Sequence, residues 1–213
     1  MSQADPRPRQ ITIGVTGASG AAYATRTMAA LLERGMSLEI VFSDFGRRLF
    51  KDELGAAASV DRLGDFLRDK YGDGVKNGSF VVHSNRDLGA TIASGSHRST
   101  GMVVVPCSMK TLAGIAHGLS RNLVERAADV MLKEKRPLII VPRETPMSLP
   151  QLKNMVLAAE AGAHMLPAMP AFYQMPKTLD DLADFMAGKI LGALGIEHEL
   201  YPDWTGEGGI EDR

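Results

Sequence analysis

The sequence of 213 residues has one cysteine, almost no net charge and no long apolar run. One cysteine excludes an internal disulfide and a metal cage built from several cysteines. Lys and Arg number 24 against 25 Asp and Glu, so no excess of positive charge is present to hold a nucleic acid backbone. No apolar run approaches the roughly 18 residues of a membrane-spanning helix. We therefore expect a cytoplasmic protein with neither a membrane nor a nucleic acid as its partner.

What the sequence does contain is an alternation of apolar runs and helical patterns. Strands are predicted at Ile11–Thr16, Leu38–Ser43, Met102–Pro106, Leu138–Pro142 and His164–Met169. Apolar residues at helical spacing predict helices at Gly20–Arg34, Asn122–Lys133 and Thr178–Leu194. The alternation predicts a single α/β domain, Rossmann-like or flavodoxin-like, with a parallel sheet covered by helices on both faces. We place this domain at residues 10–204, between a flexible arm at 1–9 and a polar, acidic tail at 205–213.

Chemically able side chains follow the predicted strands. In an open parallel sheet, ligands bind beyond the carboxyl ends of the strands, so these residues are expected to meet at one edge. They are Gly17, Ala18, Ser19, Ser43, Cys107, Ser108, Met109, Lys110, Thr111, Arg143, Glu144 and residues 170–173. The pattern predicts one site of the size of a nucleotide.

Residues 17–22 read GASGAA and join the first predicted strand to a helix. Such a junction points backbone N–H groups and the positive end of the helix dipole at one place, which favours a phosphate. The string is not the GxGxxG dinucleotide motif, and Ser43 occupies the position where a ribose-binding acid is expected. A mononucleotide with a terminal phosphate therefore fits better than a dinucleotide. The alternative is a tight turn that binds nothing.

A second polar turn follows the third predicted strand, in PCSMKTLAG (106–114). Ser108, Lys110 and Thr111 predict an anion cradle or a contact for the edge of a flavin. Helix capping by Ser108 is the alternative. Cys107 is interpreted as a buried small apolar residue, because no His lies near it in sequence to activate it.

The segment 125–146 combines a charged helix face with a charged loop. Arg126, Asp129 and Lys133 share one helical face, which is typical of a solvent-exposed stripe of ion pairs. In the loop after the next strand, two prolines enclose Arg143 and Glu144. Arg143 suits bidentate binding of phosphate, and Glu144 suits proton transfer.

Two patterns that would indicate a metal are excluded. The string DDLAD at 180–184 matches a magnesium-binding DDxxD pattern superficially, but its acids lie in the first turns of a helix capped by Thr178 and oppose the dipole there. The five histidines show no spacing typical of zinc ligands. We therefore expect no metal site.

Together these segments resemble the UbiX-type flavin prenyltransferases, a branch of the flavin-binding homo-oligomeric decarboxylase-like fold. The matching strings are TGASGA, ASGS at 93–96, PCSMKTLAGI, LVERAADVMLKEKRPLIIVPRETP and PAMPAFYQMP. The resemblance implies transfer of a dimethylallyl group from dimethylallyl phosphate to the N5 and C6 atoms of reduced FMN, without a metal. It further implies a dodecamer, and a product, prenylated FMN, that serves UbiD-type decarboxylases.

The resemblance also implies roles for individual residues. FMN contacts are implied for Gly17, Ala18, Ser19, Ser43, Ser108, Met109, Lys110, Thr111 and Arg143. Catalytic roles are implied for Ser19, Glu53, Lys133 and Glu144, and prenyl phosphate contacts for Lys133, Arg143, Tyr173 and Lys189. At the last of these positions the family usually has Arg, and Lys keeps the charge but loses the planar fork.

Two other functions fit parts of the pattern. A non-catalytic carrier would bind FMN or prenylated FMN and deliver it to a decarboxylase. A related flavoprotein would oxidatively decarboxylate a peptidyl or pantothenoyl cysteine, but it needs a catalytic His after the second strand, and residues 50–60 contain none.

Overall fold

The computed structural model describes residues 10–202, so the predicted arm at 1–9 and the predicted tail at 205–213 lie outside the described residues. The strands are β1 (Gln10–Val15), β2 (Ser37–Phe42), β3 (Ser79–Ser84), β4 (Gly101–Cys107), β5 (Leu138–Pro142) and β6 (His164–Met165). The α-helices are α1 (Ala21–Glu33), α2 (Asp44–Leu54), α3 (Leu63–Tyr71), α4 (Met109–Ala116), α5 (Leu123–Lys133), α6 (Leu149–Glu160) and α7 (Leu179–Ala193).

All six strands are parallel and lie in the order β3-β2-β1-β4-β5-β6. On one side of β1 the chain adds β2 and then β3. It then returns to the other side of β1 and adds β4, β5 and β6 in turn. The loops after β1 and β4 therefore diverge, and such a switch point opens a crevice at the carboxyl ends of the strands. The predicted single α/β domain with a parallel sheet is confirmed.

Helices cover the sheet on both faces. On one face, Ile13 of β1 belongs to the same buried cluster as Met28 of α1 and Met186 of α7. On the other face, Val104 of β4 is buried together with Val124 of α5. Burial on both faces explains why β1, β4 and β5 are almost continuously apolar.

The edges of the sheet differ from the sequence prediction. The pattern does not predict β3, whose first three residues are exposed because it is an edge strand; its pairing with β2 makes it a strand. The predicted strand His164–Met169 forms a ladder only at its first two residues, since Pro167 has no N–H to donate. Beyond these two residues the segment still runs alongside β5, because the N–H of Ala168 donates to the carbonyl of Pro142.

A carboxylate is buried in the middle of β2. Glu39 is only 6% exposed, and it accepts a hydrogen bond of 2.5 Å from the side-chain amide of Gln10. Its other oxygen contacts the Nε2 atom of His83, and Nε2 of His97 lies 3.7 Å from the oxygen that Gln10 binds. Polar partners from three neighbouring segments thus compensate the burial of this charge.

Candidate functional site

A threonine ties the ends of β1 and β4 together at the switch point. The N–H and Oγ1 of Thr16 both donate to the carbonyl of Pro106, at 3.2 and 2.9 Å, and Oγ1 accepts from the N–H of Ser108 at 2.7 Å. Pro106 cannot donate to the ladder with β5, and the register of that ladder shifts between Val104 and Cys107. The turns at 17–19 and 108–111 therefore lie side by side.

The first of these turns requires glycine for steric reasons. A Cβ added at Gly17 would lie 2.6 Å from the Cβ of Phe45, which is closer than two carbon atoms approach. Gly20 has φ of 124°, a value that favours glycine. The turn is thus pressed against the first turn of α2, where Phe45 lies.

The N-terminus of α1 is capped by a carboxylate. Glu53, near the end of α2, accepts from the N–H of Gly20 at 2.9 Å and from the N–H of Ala21 at 2.8 Å through the same oxygen. A negative charge is favourable at this end of a helix. The N–H groups of Gly20 and Ala21 are thus already paired with Glu53, and phosphate binding by the turn at 17–19 stays a prediction. Glu53 itself lies in the predicted site.

Two serines cap the next helices. The hydroxyl of Ser108 accepts from the N–H of Thr111 at 3.3 Å and donates to its Oγ1 at 3.1 Å. The hydroxyl of Ser43 accepts from the N–H of Gly46 at 3.0 Å. Helix capping by Ser108, one of the two alternatives, is therefore confirmed. One capping hydroxyl does not use all the N–H groups of a helix N-terminus, so α2 and α4 both retain donors for an anion.

Arg143 crosses from β5 to the turn after β1. Its backbone N–H donates to the carbonyl of Cys107 at 3.3 Å, and its Nε donates to the carbonyl of Ser19 at 3.1 Å. The guanidinium has four further N–H groups. Beside it, Glu144 accepts from the N–H of Thr145 at 3.0 Å. The structure thus brings Arg143 and Glu144 to the same edge as the turns at 17–19 and 108–111.

Tyr23 belongs to this edge and was not predicted from the sequence. Burial raises the pKa of its phenol, the positive charge of Arg143 lowers it and the negative charge of Glu53 raises it. These influences place the three side chains in one electrostatic environment. Tyr23 stands in the first turn of α1, where its ring packs on Gly20. The only signal in the sequence is that position, directly after the GASG turn.

Lys133 lies at the opposite edge of the sheet. It is the last residue of α5, and its Nζ is 3.1 Å from the carboxylate of Glu134 and beside Gly95, which precedes β4. Between Lys133 and Arg143 the chain runs through β5, a strand about 13 Å long. Within one chain, Lys133 is therefore separated from Arg143, because α5 runs back to the edge where strands begin; that the two residues share a phosphate site stays a prediction.

Tyr173 and Lys189 meet in a different place. Both line a cavity of about 680 Å³ between the β6 segment and α7. The ammonium of Lys189 lies 5.4 Å from the ring centre of Phe185 and 5.8 Å from that of Tyr201, so it is held over two aromatic faces. Neither Ser19 nor Arg143 lines this cavity. Tyr173 and Lys189 thus line the same cavity, and that they share a phosphate site with Arg143 stays a prediction.

The structure also bears on three other features: a reactive cysteine, a metal site and a membrane-spanning helix. Cys107 is completely buried, which confirms its interpretation as a buried small residue, and burial raises the pKa of its thiol well above the ordinary value. Between residues 10 and 202, no group of three His, Cys, Asp or Glu side chains is arranged to hold a metal ion. None of the helices in that range combines the length and hydropathy needed to span a membrane.

Comparisons with a family model, with known sequences and with solved structures agree with one another. A family model described as Flavoprotein matches residues 1–191. The flavin prenyltransferase UbiX of Halalkalibacterium halodurans is 47% identical over 92% of this chain and 93% of its own. The crystal structure of AnUbiX in complex with FMN and dimethylallyl pyrophosphate has a TM-score of 0.84 at 36% identity, covering 95% of this chain and 100% of that one. A dodecameric FMN-dependent UbiX-like decarboxylase from Escherichia coli has a TM-score of 0.81 at 39% identity, covering 92% and 100%.

Proposed function

The chain belongs to the UbiX family of flavin prenyltransferases, and from this we propose how its own residues carry out the transfer. It is an FMN-prenylating transferase. We propose that the acceptor is reduced FMN and that the donor is dimethylallyl phosphate. The single observation that carries the residue assignment is the position of Arg143, which joins the turns after β1, β4 and β5 at the switch point.

FMN is proposed to bind in the crevice between the turns at 17–19 and 108–111. The N-terminus of α1 is closed to its phosphate by the carboxylate of Glu53. The N-termini of α2 and α4, after Ser43 and Ser108, keep backbone donors and suit the phosphate better. The side chain of Lys110 is exposed at the start of α4 and adds a positive charge there.

The proposed chemistry is the departure of phosphate from the allylic carbon. The bond from that carbon to the phosphate oxygen breaks with its electron pair on the phosphate, and the carbon bonds to the flavin. Arg143 stabilises the charge that develops on the leaving group. Glu144 and Glu53 are acceptors for the proton that the flavin loses, and Ser19 assists its movement. Tyr23, half-buried beside Arg143 and Glu53, excludes water from the reacting carbon.

We propose that the site is completed by other copies of the chain. In the single chain, Lys133 lies at the opposite edge of the sheet from Arg143, and Tyr173 and Lys189 line a cavity that Arg143 does not line, yet each of the three is exposed. A face of α6 also exposes apolar side chains, which suits contact between subunits. These are Leu149, Leu152, Val156 and Leu157. The dodecamer of the Escherichia coli relative supports an assembly of this kind.

Subunit complementation tests this arrangement. Lys133→Ala and Arg143→Ala chains, with different affinity tags, are each expected to be inactive alone. Co-expressed and purified through both tags, they are expected to regain part of the activity, because one site in the mixed oligomer contains both native side chains. Lys76→Ala, which removes a lysine paired with Asp73, is the charge-matched control and should stay fully active. No recovery in a verified mixed oligomer would contradict the arrangement.

The reaction itself is tested by incubating the protein with reduced FMN and dimethylallyl phosphate under strict anaerobiosis. Mass spectrometry should detect a flavin heavier by one dimethylallyl unit, and a parallel assay with the diphosphate identifies the preferred donor. Tight flavin binding without product from either donor would favour the carrier function instead. We further propose that the enzyme works in the cytoplasm and passes its product to a UbiD-type decarboxylase.

A further inference from the structure

An exposed aromatic ring stands beside the crevice. Phe45 lies in the first turn of α2, immediately after β2, and is 67% exposed. It is not among the residues that the family resemblance implies for the site. A single exposed apolar side chain is ordinary on a protein surface, so the case for a ligand at Phe45 depends on where its ring is held.

The backbone that carries this ring is held rigidly. The N–H of Ser43 donates to the carbonyl of Val15 at 2.9 Å, and a Cβ added at Gly46 would lie 2.4 Å from the same carbonyl oxygen. On the other side, the Cβ of Phe45 lies against the α-carbon of Gly17. The start of α2 is thus clamped to the end of β1, while the ring beyond the Cβ remains in solvent.

The position of Phe45 beside the turn after β1 indicates which ligand contacts its ring. The turn at 17–19 that touches Phe45 also provides the carbonyl of Ser19 that holds Arg143. Around this turn the identified side chains of Glu53, Arg143 and Tyr23 are polar or charged. A flavin offers a large, flat, apolar ring system on one part and a charged phosphate on another, and it needs an apolar surface as well as a cation.

We propose that Phe45 contacts the isoalloxazine ring of FMN and determines how tightly, and in which orientation, the flavin is held. This inference rests on the proposed flavin site at the switch point. The aromatic face packs on the flavin and removes both surfaces from water. Gly17 and Gly46 are the positions that allow α2 to come close enough, which gives both glycines a role in placing Phe45.

Variants at Phe45 test the contact through flavin binding rather than turnover. Phe45→Ala is expected to raise the Kd for FMN about tenfold, equivalent to roughly 1.4 kcal/mol. Phe45→Tyr should bind as the wild type does. Phe80→Ala, a partly exposed phenylalanine of β3, is the matched control and should leave the Kd unchanged. Native mass spectrometry verifies that all variants assemble like the wild type.

A tryptophan probe measures the same contact directly. In Phe45→Trp, the indole is expected to quench the fluorescence of bound flavin strongly relative to wild type, whereas Phe80→Trp should not. An unchanged Kd in Phe45→Ala, or unquenched flavin in Phe45→Trp, overturns the role of Phe45 while wild-type binding still supports the flavin site. Absence of FMN binding by the wild type overturns both. A Phe45→Ala variant with altered assembly but unchanged Kd also overturns the flavin contact.

Discussion

The carboxylate of Glu53 accepts a hydrogen bond of 2.8 Å from the backbone N–H of Ala21, across 32 residues of sequence. The same oxygen binds the N–H of Gly20 at 2.9 Å. Glu53 thus holds the end of α2 against the start of α1, at the edge where the flavin is proposed to bind. A residue that the family resemblance marks as catalytic is also a structural cap, and the two roles can be separated by experiment.

Substitution of Glu53 is expected to affect both stability and turnover. Glu53→Ala removes the cap and should lower the free energy of unfolding by about 1 kcal/mol, as loss of an N-terminal cap does. Glu53→Gln keeps an oxygen acceptor and should recover most of that stability without recovering turnover. Urea unfolding and the anaerobic prenylation assay measure the two effects. Equal turnover in Glu53→Gln and wild type would show that the carboxylate is only a cap.

Thr16 is expected to be essential for the geometry of the crevice. Thr16→Val keeps the buried volume but removes the acceptor for the N–H of Ser108, and leaving that group unpaired should cost about 1–3 kcal/mol. The turn at 108–111 would then lose its connection to β1, so the Kd for FMN should rise as well. Chemical unfolding and flavin titration measure both changes.

Thr12→Val is the matched control for Thr16. Thr12 lies in β1, four residues before Thr16, and is also buried, but its hydroxyl has a longer contact of 3.4 Å, with Ser99. Its substitution should leave the Kd for FMN unchanged. An equal rise of the Kd in both variants would mean that Thr16 acts through the general stability of β1, not through the crevice.

The sequence predicts the central sheet well because its strands are buried on both faces. β1, β4 and β5 have continuous apolar runs that no solvent-exposed segment resembles. β3 carries exposed apolar and polar residues together, so only its pairing with β2 identifies it. The burial of Glu39 among polar partners could not be predicted either. Those partners lie in three segments of the chain, and no regular spacing in the sequence connects them.

Site residues could be predicted from the sequence where they directly follow strands. They could not be predicted where their position depends on how helices and strands pack. Arg143 and Ser108 follow strands, and the parallel order brings them together. Lys133 ends a helix that runs back to the opposite edge, so closeness in sequence does not bring it to Arg143 within one chain. Phe45 is equally hidden in the sequence, because its contact with Gly17 depends on how close two elements approach.

Cys107 is expected to be unreactive in the folded protein. Burial raises the pKa of its thiol, so the thiolate needed for reaction with a disulfide reagent is absent at neutral pH. Native protein should therefore consume no such reagent within minutes, whereas protein in denaturant should consume one equivalent. Cys107→Ala should retain prenyltransferase activity. Fast labelling of native protein, or loss of turnover in a well-folded Cys107→Ala variant, would contradict the assignment of this residue as structural.

The start of α7 gives a pH dependence with a definite sign. Backbone N–H groups of Lys177 and Thr178 donate to the carboxylate of Asp181 and lower its pKa below the ordinary value. Because the pKa is lower in the folded state, this carboxylate stabilises the fold above the unfolded pKa of about 4 and loses that effect as the pH falls through the folded value. Asp181→Asn should therefore be less stable than wild type at pH 7, and the difference between their unfolding temperatures should shrink as the pH falls through the folded pKa of Asp181. Asp52→Asn, at an exposed carboxylate beside Arg48, should show no such change because its difference is small at every pH. If the difference between Asp181→Asn and wild type does not shrink once the pH falls below the unfolded value of about 4, the amide loses a packing contact, and the charge at the helix N-terminus contributes nothing.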